Sequence, residues 1–345
     1  MREKIRVIVL MGGKSPEHEV SLVSGREVVK SLDQDKYEIL PVVISKDGKR
    51  WMLKDVSRFL KSADKEVSGA KDLTPTKEEI NPKAVPQKAD VVFIAMHGSF
   101  GEDGTIQGLL ELAGISYTGA GILASALGMD KIMFRKIMKA EAITTPKYIV
   151  LKDKDEKENI LKDLKLPVVV KPSSQGSSVG VSIVEERENL KKALQVAFAF
   201  GHEVIVDEYL SGTEVTCGVL GNVNPKALPI VEIVPKNKFF DYEAKYTADK
   251  SEEIIPARIS AQLSREVQKI AVKVYKAIEC QGFGRVDMII HKGKPYVLEI
   301  NTIPGLTPVS LFPKEAQAAG IKYSDLIERL ITLALEKNNM IGKKV

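Results

Sequence analysis

Residues 284–301 read GRVDMIIHKGKPYVLEIN, and this stretch predicts a β-hairpin. Residues 286–290 and 296–300 are mostly apolar runs of strand length, and Lys292-Gly293 between them is a turn sequence. We expect the rest of the chain to be organised around this hairpin, because it carries most of the candidate chemistry.

Two carboxylates are expected to face each other in this hairpin. Pairing around the turn places Asp287 opposite Glu299 or one residue diagonal to it, and facing carboxylates repel. Asn301 lies two residues after Glu299, so it points to the same face of an extended chain. These side chains offer only oxygen ligands, which suit Mg²⁺ or Mn²⁺ rather than zinc. An exposed hairpin with scattered charges is the alternative, but the apolar surroundings and the adjacent Arg285 favour a metal site.

Composition narrows the class of protein. The chain has 345 residues, 44% hydrophobic and 28% charged, which predicts two or three domains. Its net charge of +5 is spread without a basic block, so no nucleic-acid surface is expected. Two cysteines without CxxC spacing suggest a reducing, cytoplasmic setting. The apolar run at 7–11 is too short for a signal peptide, and no run of about 18 apolar residues predicts a membrane span.

The first third of the chain predicts an open α/β sheet. Residues 5–11 and 89–96 read as buried parallel strands. The sequence GGKS at 12–15 matches neither the Walker loop nor GxGxxG. Polar residues at 17–21 and 97–104 follow the two strands, where open α/β folds bind ligands. Helix capping is the alternative for the first segment, and a structural histidine for the second.

A Gly/Ser loop follows a strand that ends in lysine. Residues 173–180 read SSQGSSVG, and backbone N–H groups and hydroxyls in such a loop can hold phosphates. Lys171 and Lys131 would add positive charge. An unliganded hairpin tip is the alternative, but the lysine at the strand end favours phosphate. Polar and aromatic residues at 236–249 predict a lid.

Taken together, these blocks resemble the D-alanine–D-alanine ligases of the ATP-grasp superfamily. The match covers almost the whole chain except about 50–88, and its blocks are residues 17–25, 97–108, 171–180, 241–246, 284–287 and 299–310. The resemblance implies an α/β and α+β, three-domain ATP-grasp fold. An N-terminal open parallel-sheet, Rossmann-like substrate domain is expected at 1–122. A central ATP-grasp subdomain is expected at 123–212, and a C-terminal subdomain with the metal and catalytic site at 213–345.

The resemblance also implies an activity. Two D-alanines would be joined with ATP through an acyl phosphate, for peptidoglycan precursors, by a cytoplasmic homodimer that uses two Mg²⁺ or Mn²⁺ ions. No nucleic-acid or membrane partner is expected. The rival interpretations are a D-alanine–D-lactate ligase and another ATP-grasp carboxylate–amine ligase. Tyr246 in the predicted lid favours the dipeptide.

Roles follow from the resemblance residue by residue. The implied catalytic residues are Glu19, Ser177, Tyr246, Arg285 and Ser310. The implied substrate-binding residues are Glu19, His97, Arg285, Gly305, Ser310 and Leu311. The implied ATP-binding residues are Lys131, Lys171, Ser177, Ser178, Asp207, Glu208, Tyr209, Leu210, Glu214 and Lys245. The implied metal ligands are Asp287, Glu299 and Asn301. Asp207-Glu208 departs from the Glu-Lys of many relatives, and Gln175 from a common acidic residue.

Overall fold

The computed structural model describes residues 3–63, 79–81, 85–153, 160, 162–176, 179–235 and 251–341. Three sheets follow one another along this part of the chain. The predicted lid at 236–249 and the loop serines Ser177 and Ser178 lie outside the described residues. None of the described helices combines the length and apolarity needed to cross a bilayer.

The N-terminal sheet is mostly parallel. Its strands are β1 (Ile5–Gly12), β2 (Tyr37–Ile44), β3 (Trp51–Leu53), β4 (Val91–Ile94) and β5 (Ser116–Tyr117), in the order β3-β2-β1-β4-β5. Only β3, at one edge, is antiparallel to its neighbour. The helices of this region are α1 (His18–Ser31), α2 (Val56–Ala63), α3 (Val85–Lys88) and α4 (Thr105–Leu112). Residues 7–12 of β1 and all of β4 are buried, which confirms the predicted parallel strands, and their carboxyl ends lead into the polar segments that point to a site.

The central sheet is antiparallel, with the order β6-β9-β7-β8. Its elements and the helices before it are α5 (Ile122–Met129), α6 (Lys131–Ala140), β6 (Tyr148–Leu151), β7 (Val168–Pro172), β8 (Ser182–Val184), α7 (Leu190–Phe198) and β9 (Val204–Glu208). The strand predicted before the Gly/Ser loop is therefore β7, which ends one residue after Lys171.

The C-terminal sheet is also antiparallel and contains the hairpin. Its strands are β10 (Thr213–Leu220), β11 (Lys226–Ala227), β12 (Val231–Pro235), β13 (Ser251–Ile254), β14 (Phe283–His291) and β15 (Lys294–Asn301). The order is β13-β12-β10-β14-β15, and β11 pairs with β10. The helices are α8 (Ala261–Ala277), α9 (Leu311–Ala318) and α10 (Tyr323–Ile341). Val267, Ala271 and Val274 of α8 are fully buried in the core of this sheet.

The apolar cores do not follow the order of the chain. Leu326, Ile327 and Leu330 of α10 belong to the same core as the N-terminal sheet, so the last helix returns to the first sheet. Phe134 and Met138 of α6 belong to the core of the C-terminal sheet. The domain limits expected at 122/123 and 212/213 fall between consecutive sheets, and they stay predictions.

Candidate active site

The β14–β15 hairpin brings its two carboxylates together by means of a bulge. Lys292 and Gly293 form the turn, with φ of 49° and 77°, as a two-residue turn of this kind requires. From the turn, regular pairing runs to Met288 opposite Val297, but the next pair is Asp287 opposite Glu299. Leu298 is thus an extra residue, and paired residues in an antiparallel ladder share a face. Without the bulge, Glu299 would point to the other face of the sheet.

Arg285 and Asp287 form a two-point pair on this face. Arg285 Nε donates to Asp287 Oδ1 and its Nη2 to Oδ2, both at 2.8 Å. The fully buried Thr216 of β10 also donates its hydroxyl to Asp287 Oδ1, at 2.7 Å. Burial lowers the pKa of Arg285, but the neighbouring carboxylates of Asp287, Glu315 and Glu299 leave the pKa above its usual value. The guanidinium is therefore a fixed positive charge.

Lys131 connects the hairpin to the Gly/Ser loop. Its Nζ lies 3.6 Å from Glu299 Oε2 and donates to the carbonyl of Gln175 at 2.6 Å. Lys131 is the first residue of α6, whose start is capped by the Asp130 carboxylate accepting from two backbone N–H groups. The predicted phosphate lysine and the metal-ligand hairpin thus meet in space.

Lys171 belongs to a buried ionic cluster in the central sheet. Its Nζ lies 2.7 Å from Asp207 Oδ2, and Arg135 Nη2 donates to the same oxygen at 2.9 Å. Among the described residues, Asp207 Oδ1 has no hydrogen-bond partner. The side chain of Glu208 accepts a hydrogen bond from the backbone N–H of Lys147 at 2.8 Å, just before the first residue of β6.

The other implied nucleotide residues within the described part of the chain lie directly after β9 or on β10. Tyr209, 37% exposed, and the half-buried Leu210 come directly after β9. Glu214 lies near the start of β10, paired with Ile289 on one side and Ile233 on the other. Lys245 and Tyr246 lie outside the described residues, as do Ser177 and Ser178.

His97 is buried at the end of β4. Its Nε2 lies 2.8 Å from Ser24 Oγ, and its Nδ1 is 3.2 Å from the Ile303 carbonyl and 3.5 Å from Glu102 Oε1. Burial lowers the pKa of His97, but the carboxylates of Glu102 and Glu17 raise it more. The histidine therefore joins α1, the β4 loop and the segment after β15.

The structure places Glu19 outside the cluster described above, and the role expected for it stays a prediction. The Glu19 carboxylate is 52% exposed and pairs with Lys46 at 2.7 Å on the surface. Glu17 is 7% exposed instead, and its Oε2 would lie 2.5 Å from a Cβ at Gly98 and 3.6 Å from one at Gly176. Residues two apart at the start of a helix point to different sides. The inward carboxylate, next to the Gly/Ser loop, is therefore Glu17.

Ser310 stands at the start of α9, as its N-cap residue. Its Oγ lies 2.7 Å from Thr307 Oγ1 and accepts the Thr307 N–H at 3.3 Å. A Cβ at Gly305 would lie 2.9 Å from this Oγ, so glycine leaves the hydroxyl room. Leu311 is the first helical residue and is half-buried. The N–H groups of this helix end favour an anionic ligand.

The hairpin side chains fit a hard divalent cation. Asp287 and Glu299 are directly paired, and Asn301, which pairs with Arg285, lies on the same face. The described residues contain no cluster of three or more Asp, Glu, His or Cys around one metal position. Two carboxylates and one amide suit Mg²⁺ or Mn²⁺, which keep several positions for water and substrate phosphates.

Sequence reasoning missed several residues of this site. Glu17 was within the matched block, but the choice between it and Glu19 needed the orientation of α1. Thr216 and Arg135 had no local signal, because the residues they contact, Asp287 and Asp207, lie 71 and 72 residues away in the sequence. Glu102 lay within the polar segment after β4, but its contact with His97 depends on how that segment folds. For Thr216, strand alternation could have indicated a buried hydroxyl beside an acidic strand.

Comparison with known proteins identifies the family of this chain. Residues 6–120 match a family model described as D-ala D-ala ligase N-terminus, and residues 127–332 match one described as D-ala D-ala ligase C-terminus. The chain is 43% identical to a D-alanine--D-alanine ligase of Carboxydothermus hydrogenoformans over 341 residues, covering 96% of this chain and 99% of the relative.

Two solved structures are similar over nearly the whole chain. The VanG D-Ala:D-Ser ligase from Enterococcus faecalis has a TM-score of 0.82 at 36% identity, covering 96% of this chain and 100% of that one. The D-alanine--D-alanine ligase from Bacillus anthracis complexed with ATP has a TM-score of 0.75 at 34% identity, covering 98% and 100%. These matches confirm the ATP-grasp fold class, and the chain belongs to the D-alanine–D-alanine ligase family.

Proposed function

We propose that this chain joins two D-alanine molecules to D-alanyl-D-alanine and converts ATP to ADP and phosphate. The observation that carries this proposal is the meeting of the β14–β15 hairpin face with Lys131 and the Gly/Ser loop. Phosphoryl transfer requires positioning and neutralisation of oxygen charge more than covalent chemistry by the protein. This face offers both.

In the first step, a carboxylate oxygen of the first D-alanine attacks the γ-phosphorus of ATP, and ADP leaves. The product is an acyl phosphate. Lys131 and Lys171 hold the phosphates, with Lys131 between the loop carbonyl of Gln175 and Glu299. Arg285 stabilises charge on the transferred group, since its fork is already oriented by Asp287.

In the second step, the amine of the second D-alanine attacks the acyl carbon, and inorganic phosphate leaves. Arg285 stabilises the oxyanion of the tetrahedral intermediate. Ser310 and the N-terminus of α9 receive the carboxylate of the second D-alanine, because the hydroxyl and the free N–H groups meet there. Gly305 and Leu311 border this position.

Asp287, Glu299 and Asn301 would hold the Mg²⁺ or Mn²⁺ ions, which neutralise phosphate charge when bound. Their donor set supports this assignment. The two-ion stoichiometry and the homodimer rest on the family resemblance alone, as do the roles of Ser177, Ser178, Lys245 and Tyr246.

Glu17, in place of Glu19, is proposed to hold the ammonium of the first D-alanine. Its carboxylate is buried beside the Gly98 and Gly176 positions and raises the pKa of His97 through its charge. A buried carboxylate in a substrate site attracts an ammonium group strongly, since little water screens it.

The activity is tested by incubating the protein with ATP, Mg²⁺ and amino or hydroxy acids, and identifying products by mass. The panel contains D-alanine, L-alanine, D-serine and D-lactate. We expect D-alanyl-D-alanine, ADP and phosphate in equal amounts, and no product without ATP. A dominant D-alanyl-D-lactate or D-alanyl-D-serine product would contradict the choice of second substrate.

A further inference from the structure

A buried carboxyl lies beside the catalytic face without a role in the site described above. Glu315, on α9, is fully buried. Among the described residues, neither of its carboxyl oxygens has a well-formed hydrogen-bond partner, although Oε2 lies against the backbone of Gly218. Burial raises the pKa of this carboxyl, while Arg285 acts to lower it.

The sheet register shows what this carboxyl faces. Gly218 of β10 is paired with Arg285 of β14, so a side chain at 218 would point to the same face as the guanidinium. A Cβ at that position would lie 2.3 Å from Glu315 Oε2. The Glu315 carboxyl therefore occupies the place that the missing side chain leaves next to Arg285.

Two acidic groups thus flank the guanidinium. Asp287 holds it along the strand through two hydrogen bonds of 2.8 Å, and Glu315 reaches it from α9, over Gly218 of the neighbouring strand β10. The charge of Glu315 contributes to the raised pKa of Arg285. Glu315 also belongs to the helix that Ser310 caps, so it connects Arg285 to the expected position of the second substrate.

We propose that Glu315 is a positioning residue that holds the Arg285 guanidinium in place relative to α9 and Ser310. This inference rests on the role proposed above for Arg285. A fully buried carboxyl with no hydrogen-bonding contact among the described residues beyond the Gly218 backbone recovers little of its desolvation cost, and an apolar side chain of similar size is often more stabilising. Stability therefore does not explain this residue, whereas orientation of Arg285 does.

The test compares Glu315→Met with the wild type in thermal unfolding and steady-state kinetics. We expect an equal or higher Tm together with a fall in kcat of about tenfold to a hundredfold, the scale for misplacing a catalytic group. KM for ATP should change little, because the nucleotide residues are untouched. Gln317→Ala, at an exposed position of the same helix, is the matched control and should leave both values unchanged.

A double variant separates positioning from a general packing role. In an Arg285→Lys background, Glu315→Met should cause almost no further loss of kcat, because its effect passes through the guanidinium. The same factor of loss in both backgrounds would overturn the proposal, as would an unchanged kcat in the single variant. If Glu315→Met does not fold, the loss of kcat caused by Glu315→Gln is compared in the wild-type and Arg285→Lys backgrounds, with the same expected outcomes. Absence of dipeptide formation by the wild type would refute the proposed function itself, which is a separate result.

Discussion

Two arginine–aspartate pairs in this molecule have similar chemistry but different surroundings. Arg135 and Asp207 in the central region are 1% and 2% exposed at their side chains. Arg285 and Asp287 on the hairpin face are 11% and 10% exposed. Both pairs have hydrogen bonds of 2.8–2.9 Å, so hydrogen-bond length does not distinguish their roles.

The difference lies in what else each pair contacts. The Asp207 carboxylate also pairs with Lys171, and Arg135 donates its Nη1 to the Val297 carbonyl at 2.9 Å. That pair bridges the central sheet and the hairpin strand β15 from inside. Asp287 is shared with Thr216 and faces Glu299 across an open sheet face. Nearly complete burial makes the first pair structural, whereas the second pair, 11% and 10% exposed, is available to substrate.

Removing the buried Asp207 carboxylate should have the largest effect on the free energy of unfolding. Asp207→Ala would leave Arg135 buried without its carboxylate, and losing one partner of a buried ion pair costs about 3–5 kcal/mol. Urea unfolding without ATP measures the free energy of unfolding for this variant and for the more conservative Asp207→Asn. A loss below about 1 kcal/mol, the size of a surface pair, would show that the cluster is not structural.

Changing Arg285 or Asp287 should reduce turnover rather than stability. Asp287→Asn and Arg285→Lys are each expected to lose about 10²-fold or more in kcat, the scale for removed charge stabilisation. Lysine cannot replace the two-point fork of arginine. Both variants should remain folded. Asparagine at 287 removes the repulsion with Glu299 and can still accept from Thr216, and lysine at 285 keeps a positive charge beside Asp287. Near wild-type turnover of Asp287→Asn at saturating Mg²⁺ would show that the metal-ligand assignment is wrong.

Glu17 and Glu19 lie two residues apart at the start of α1, so one serves as the control for the other. Glu17→Gln should raise KM for D-alanine by about tenfold to a hundredfold, since a hydrogen bond to a charged group contributes about 1.5–3 kcal/mol. Glu19→Gln is the matched control and should leave KM unchanged, because Glu19 faces Lys46 on the surface. The opposite ranking would restore the ammonium role to Glu19.

The smallest effect is expected at an exposed pair of the same type. Arg6 and Asp90 are 40% and 43% exposed, so water screens their contact and its contribution to stability should be small. The hydrogen bond from Arg6 lowers the pKa of Asp90. The stability that the Arg6–Asp90 contact contributes is therefore fully present above the unfolded-state pKa of Asp90. It is lost as the pH falls through the lower folded-state pKa of Asp90. Urea unfolding of the wild type and Asp90→Asn should differ slightly at neutral pH and converge in acid.

Much of the fold was predictable because its signals are local. The apolar runs of β1 and β4, the turn at Lys292-Gly293 and the lysine at the end of β7 each depend on neighbours in the chain. The candidate ligands Asp287, Glu299 and Asn301 followed from the same hairpin. Residues that act across the fold, such as Arg135 and Thr216, were not predictable in this way, because their partners lie 72 and 71 residues away.

By itself the sequence determined the types of ligand groups, their order along the chain and the elements that carry them. Only the tertiary structure decided which of these groups meet. A bulge at Leu298 turns Glu299 to the face of Asp287, because one extra residue reverses side-chain direction in a strand. The docking of α1 decided that Glu17 points inward and Glu19 outward. The glycine at 218 admits the Glu315 carboxyl beside Arg285, since a missing side chain on one strand leaves room for a helix that arrives later in the chain.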